Sequence, residues 1–296
     1  MRFVVYCTLL LLLFILPVCA FASPIIANKM YQGGSEVSST SAGISFVIPT
    51  GLTGQYDAET KGFLMRSSSK TEGGQLFGVF AYSKIKLKAV TEYVFQSIED
   101  QGYNLVKQAY EKLPSEMIKV EFLAYDERGI NFTLIGYSKK GDYGNGVVVI
   151  GMGNSDNSAS TDYTIKELLN SMKWMRPNVK NIETKLAGKC FKYTGNSYEN
   201  DNQVTYASSI HTRLDICSNG SYSFEYKATS YEGGRESKVD DGHQGHWSVI
   251  ADLGNTYYLE LSTAQKRYFL WPVLERGDKI SISGNSFTHV GTPECR

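Results

Sequence analysis

Ser221-Tyr222-Ser223-Phe224-Glu225-Tyr226-Lys227, taken with Tyr257-Tyr258-Leu259-Glu260-Leu261-Ser262, decides the fold of the second half of this 296-residue chain. In the first run Tyr222, Phe224 and Tyr226 alternate with Ser223, Glu225 and Lys227, and in the second Tyr257, Leu259 and Leu261 alternate with Tyr258, Glu260 and Ser262. Successive side chains on a strand point to opposite faces, so both runs predict strands with one buried and one wet face. Eight strand-like runs lie between residues 186 and 290, split by turn signals at Asn219-Gly220, Gly233-Gly234, Leu253-Gly254-Asn255 and Gly284-Asn285. That series predicts an all-β, eight-stranded up-and-down barrel over residues 186–296. Pro272 predicts imperfect closure near residues 267–275, because proline cannot donate to the ladder.

The same alternation turns Leu214, Ile216, Tyr222, Phe224, Tyr226, Trp247, Tyr257, Leu259, Leu261, Ile280 and Ile282 toward the barrel interior. Interior aromatics of a small barrel either fill it or line a cavity for one small ligand. Packing is the commoner use; Tyr222, Phe224, Tyr226, Trp247 and Tyr257 are the candidate ligand-binding residues if a cavity exists.

Residues 43–176 mix two periods. Ile44, Phe46 and Ile48 alternate ahead of Pro49, and apolar runs at 62–67 and 75–82 are bounded by Gly and Ser clusters, which reads as strands. Val90, Val94 and Ile98 share one helical stripe closed by Gly102. Runs at 103–109, 116–125, 130–138 and 144–152 form a meander, and a second helix begins near Thr161 with Ile165, Leu168, Leu169 and Met172 on one side. These elements predict an α+β domain, an antiparallel sheet with two covering helices. Residues 177–185 read as a linker, and the Ser- and Gly-rich residues 23–42 as a flexible tether.

Residues 1–22 have the pattern of a secretory signal peptide. Arg2 supplies a positive charge, Phe3 to Ala22 carry none, and Ala20-Phe21-Ala22 offers small residues ahead of a cut before Ser23. An uncleaved apolar run of that length also serves as a membrane anchor. Export predicts a secreted or periplasmic location. The chain holds 30 basic and 30 acidic residues. With no basic excess, nucleic acid is not expected as a partner.

Phe46-Val47-Ile48-Pro49-x-Gly51, the helix over 90–101, the meander and the closing helix to Trp174 together resemble the PsbP-like and DcrB-like α/β superfamily across residues 43–175. The resemblance lies in element order and transfers no catalytic motif. It implies an accessory protein of the envelope or lumen, with a binding or assembly role. Leu214-Asp215-Ile216-Cys217-Ser218-Asn219-Gly220-Ser221-Tyr222, with Gly245-His246-Trp247, resembles a lipocalin or calycin-type barrel of the kind attached to exported bacterial proteins. The lipocalin Gly-x-Trp belongs on the first strand and here falls on the fourth, so the resemblance implies calycin-like geometry without lipocalin function.

Three cysteines, Cys190, Cys217 and Cys295, lie beyond the leader. In a closed up-and-down barrel the start of the first strand, the end of the second and the end of the eighth share one rim, so any pair of the three is placed for a bridge. Cys217 with Cys295 is the expected disulfide, since it ties down a loose C-terminal tail.

No nucleophile elbow, zinc-protease motif or phosphate-binding loop occurs, and all four histidines lie in the second domain. Asp240-Asp241-Gly242-His243-Gln244-Gly245-His246 is the best metal-like cluster, but on a strand His243 and His246 point to opposite faces. Asp156, Ser158, Ser160, Asp162 and Glu167 approach the spacing of a calcium loop, with Thr161 where glycine is needed; they read equally as the cap of the closing helix. The expectation is therefore no enzymatic activity, no catalytic or metal site and no cofactor. The chain reads as an exported protein that binds or assembles with an unidentified protein or envelope partner, or alternatively carries a small hydrophobic ligand in its barrel.

Overall fold

The structure, a computed structural model, describes residues 22–67, 74–84, 95–96, 98–100, 102–125, 129, 131–201, 204–265, 267–276 and 279–295. The expected leader, apart from Ala22, and the Val90 and Val94 end of the first helix lie outside these residues.

The N-terminal part opens with β1 (Ser23–Pro24), β2 (Met30–Gln32), β3 (Glu36–Ser39) and β4 (Ile44–Val47). Three strands follow, β5 (Leu52–Asp57), β6 (Gly62–Ser67) and β7 (Leu76–Tyr82). The meander is β8 (Asn104–Leu113), β9 (Met117–Tyr125), β10 (Asn131–Lys140) and β11 (Gly146–Gly153). Helix α1 (Ser158–Ser171), the short β12 (Lys173–Trp174) and helix α2 (Lys180–Leu186) lead to the barrel. An eight-stranded sheet runs β2-β5-β6-β7-β11-β10-β9-β8, and a four-stranded sheet runs β1-β3-β4-β12.

Period two in β11 divides the core. Val147 and Val149 join a cluster with Phe77, Val79, Ile165 and Leu168, while Val148 and Ile150 join one with Phe95, Val120 and Leu134. Helix α1 covers the first face and the helical residues 95, 96, 98 and 99 cover the second, which is the expected α+β architecture. The calcium-like residues do not encircle an ion position. Ser158, Ser160 and Asp162 run along α1, where Asp162 takes Tyr137 Oη at 2.7 Å, Lys119 Nζ at 3.0 Å and Lys166 Nζ at 2.6 Å.

Residues 23–42 correct the sequence reading: they are not a loose tether. Ile25, Tyr31, Val37, Ser39, Ser41 and Ala42 are buried, β1 and β3 enter the smaller sheet, and β2 forms an edge of the larger one. Tyr31 Oη donates to Pro24 O at 2.6 Å and accepts from Ile26 N at 2.9 Å, so one side chain closes the segment on itself. Its few apolar residues are divided between two short sheets, which leaves no run long enough to show a period.

The barrel comprises β13 (Lys189–Asp201), β14 (Val204–Ile216), β15 (Ser221–Glu232), β16 (Arg235–Ala251), β17 (Tyr257–Thr263), β18 (Tyr268–Arg276), β19 (Lys279–Ile282) and β20 (Asn285–Gly291). These eight strands close in sequence order. Pro272 does not prevent closure. It stands opposite Tyr258 of β17 and just beyond the β18–β19 ladder, which starts at Val273–Ile282, and its carbonyl accepts from Ser283 N at 3.0 Å.

Residues 177–185 also depart from the expected linker. Val179, Ile182 and Leu186, spaced three and four apart, place one face of α2 in the barrel's apolar cluster with Phe191, Leu214 and Leu259. The helix plugs the end at which β13 begins.

The two parts meet through the turn between β16 and β17. Leu253 belongs to the N-terminal core cluster and, like Asp252, has no exposed surface. Asp252 bridges to Tyr82, and Ser83 N donates to Ala251 O at 2.8 Å. Gly254 sits against the ring of Tyr56 with no room for a Cβ. Ser41 Oγ lies 2.6 Å from Asn255 Oδ1 and 3.2 Å from Asp252 O.

Candidate ligand-binding site

The register fixes which barrel side chains point inward. Leu214 faces Phe224, Phe224 faces His243, and Leu261 faces both Trp247 and Phe269. Toward the plugged end the interior is buried and mainly aliphatic, with Leu214, Ile216, Val249, Leu259, Leu261 and Val273 packed beside Phe191 and Tyr222. Toward the other end the same face turns aromatic and half-buried, with Tyr193, Phe224, Tyr226, Phe269 and Trp271. A cavity of about 330 Å³ opens there, walled by Tyr193, Phe224, Tyr226, Trp271 and Phe287 with Thr212 and Asn285 between them. Ligand pockets commonly start at roughly this size.

A second inlet of about 420 Å³ shares Phe224 and reaches His243, Gln244 and Gln265. His243 is an interior residue. Its ring stacks on Phe269 at 4.4 Å with an interplanar angle of 8°, and on Phe224 at 4.8 Å. Burial lowers its pKa, opposed by the nearby Asp241 carboxylate, while Arg267 adds to the lowering. Burial also pushes the Tyr222 hydroxyl up to about 12. A protonated Tyr222 Oη 2.9 Å from an uncharged His243 Nδ1 assigns the donor role to the hydroxyl and the ring proton to Nε2.

The five candidate ligand residues separate by depth. Phe224 and Tyr226 line the cavity. Tyr222 is buried beneath His243, Trp247 donates Nε1–H to Cys217 O at 2.8 Å, and Tyr257 stands between Ala251 and Val273 near the plugged end. The sequence reading missed Trp271 and Phe269, although Phe269, Trp271 and Val273 alternate in the chain on either side of Leu270 and Pro272. It also left Tyr193 and Phe287 out.

His243 and His246 lie on opposite faces of β16, and His246 is exposed. Among the described residues no three His, Cys, Asp or Glu side chains stand close enough to hold a metal. Cys217 and Cys295 form the disulfide, with 5.8 Å between Cα atoms, and Cys190 is a buried free thiol.

No family model matches the chain, and no curated protein matches it. Among solved structures, the solution structure of cyanobacterial PsbP from Synechocystis sp. PCC 6803 is similar at 10% identity and a TM-score of 0.36, covering 49% of this chain and 91% of that one.

Proposed function

We propose that this chain is an exported, non-enzymatic binding protein that takes a small, largely apolar ligand in the aromatic end of its barrel. The observation that carries this reading is the cavity among Tyr193, Phe224, Tyr226, Trp271 and Phe287, at the end away from the α2 plug. Apolar walls with a few polar groups between them are the usual make-up of a small-molecule pocket. The leader-like residues 1–22 and the Cys217–Cys295 disulfide favour an oxidising compartment outside the cytosol. The element order of the N-terminal part favours a PsbP-like or DcrB-like accessory domain, and the barrel a calycin-like one.

The environment-sensitive dye N-phenyl-1-naphthylamine tests this reading. Bound dye should brighten, and Trp271→Ala should weaken binding at least about tenfold, the loss of one large aromatic contact. Equal brightening in both proteins, or none in either, would remove the cavity as the site.

A second reading, assembly with a protein partner, is favoured by two unpaired strand edges. Among the described residues, 235–244 of β16 lie beyond the reach of β17, whose ladder begins at Gly245, and 193–201 of β13 lie beyond β20, which pairs with Cys190, Phe191 and Lys192. Free edges pair readily with another chain. A photo-crosslinker at the exposed Val239 should then capture a discrete partner in the native host, and one at the exposed Tyr163 on α1 should not. Identical products from both positions would argue against the edge.

A further inference from the structure

The ligand-binding reading above leaves the ligand's chemistry open, and the character of the walls narrows it. Below the cavity the barrel mixes aliphatic side chains with Phe191, Tyr222, Trp247 and Tyr257, and the cavity itself is lined by Tyr193, Phe224, Tyr226, Trp271 and Phe287 beside Ile210 and Ile282. A pocket for plain hydrocarbon needs no such set of five rings. Aromatic faces carry negative quadrupole potential, and several of them around one space attract a soft cation whose charge is shielded by methyl groups. No charged side chain lines the cavity. His243, at its inner border, is held toward the uncharged form by burial and so adds no opposing charge.

The register brings the Asp241 carboxylate to this face beside the cavity. It stands opposite Tyr226, a cavity wall, and alternation along β16 puts it on the same side as His243. Its side chain is exposed at the mouth, and Oδ1 accepts from Gly242 N at 2.8 Å. Arg267 is the charged group acting on His243 from the β17–β18 turn, and it lies outside the cavity lining.

We propose that the barrel mouth recognises a methylated ammonium group, held among the rings of Trp271, Phe224 and Tyr226 with Asp241 as its counter-charge. The remainder of the ligand is apolar, as the ligand-binding reading requires.

Choline and its uncharged isostere 3,3-dimethylbutan-1-ol make the test, with affinity followed by calorimetry at low salt on the full chain. Choline should bind at least about tenfold more tightly than the alcohol, the size of a partly desolvated cation–π contact. Asp241→Asn should lower choline affinity several-fold and leave the alcohol unchanged, and Trp271→Ala should weaken both. Equal affinities, or an Asp241→Asn variant that binds choline like the parent, would overturn the ammonium assignment. If dye binding persists in that case, the apolar cavity stands and this inference alone fails. Loss of dye, choline and alcohol binding together would refute both.

Discussion

Leu253→Ala should cost about 3 kcal/mol of unfolding free energy, the usual range for emptying a fully buried leucine site, although the residue sits in the short turn between β16 and β17 of the barrel. The turn is packed as core. Leu253 has no exposed surface and joins the cluster formed by Ile44, Phe46, Tyr56 and Phe77 of the other part. Because one side chain serves both parts, urea denaturation should show a single transition that shifts as a whole. Two transitions, with only one displaced by the substitution, would show that the parts unfold independently.

Asp252 makes the same junction sensitive to pH. Its Oδ1 accepts from Gly254 N at 2.8 Å and Thr256 N at 3.0 Å, and Oδ2 accepts from Tyr258 Oη at 2.9 Å. Burial nevertheless raises its pKa above the usual 3.8, because three donors do not replace the water that a carboxylate loses. An acid whose pKa is higher in the folded state binds protons more strongly there. The cost of its charge is therefore full above the folded pKa and fades as pH falls toward 3.8. Asp252→Asn keeps an acceptor for both backbone N–H groups and presents an amide to Tyr258. It should be as stable as the parent or more so at pH 7, with the gap closing on acidification. Asp252→Ala leaves all three donors unpaired and should lose on the order of 3 kcal/mol. A parent and Asp252→Asn pair with identical pH profiles would show that the carboxylate carries no such cost.

The barrel was legible from local pattern because its strands alternate, as Tyr222, Phe224 and Tyr226 against Ser223, Glu225 and Lys227 demonstrate, although Tyr258, on the outward side of β17, is buried where it donates to Asp252 at the junction. Period two identifies a face and says nothing about depth. Trp247 and Phe224 therefore looked equivalent, yet one packs over the disulfide rim and the other lines the mouth. Leu253-Gly254-Asn255 read correctly as a turn, but its burial comes from Tyr56 and Ser41, some two hundred positions away in the chain. Contacts of that separation leave no local trace. Residues 23–42 stayed hidden for a related reason: Ser39 and Ser41 are buried through hydrogen bonds, where composition alone says solvent.

Replacing Cys217 and Cys295 together by serine should have an effect larger than the surroundings of Cys295 imply. The tail around Cys295 has no regular structure, and its neighbour Glu294 is an exposed partner of Arg213. The covalent link nevertheless closes a span of 78 residues, and such a loop restrains the unfolded chain by on the order of 4 kcal/mol. It also crosses one of the short ladders of the barrel. β13 and β14 pair along thirteen positions, whereas β13 meets β20 only through Cys190–Gly291, Phe191–His289 and Lys192–Thr288. The disulfide joins the chain just after β20 to the chain just after β14, spanning β13 and holding that seam shut. Cys190 does not confuse the test, because burial first, and then Asp215, pushes its thiol up to about 11 and keeps it protonated. Without the bridge, amides of β19, β20 and residues 190–192 should exchange faster than those of β14 and β15, and the urea midpoint should fall. An unchanged midpoint with uniform exchange would mean that the α2 plug and the interior packing close the barrel by themselves.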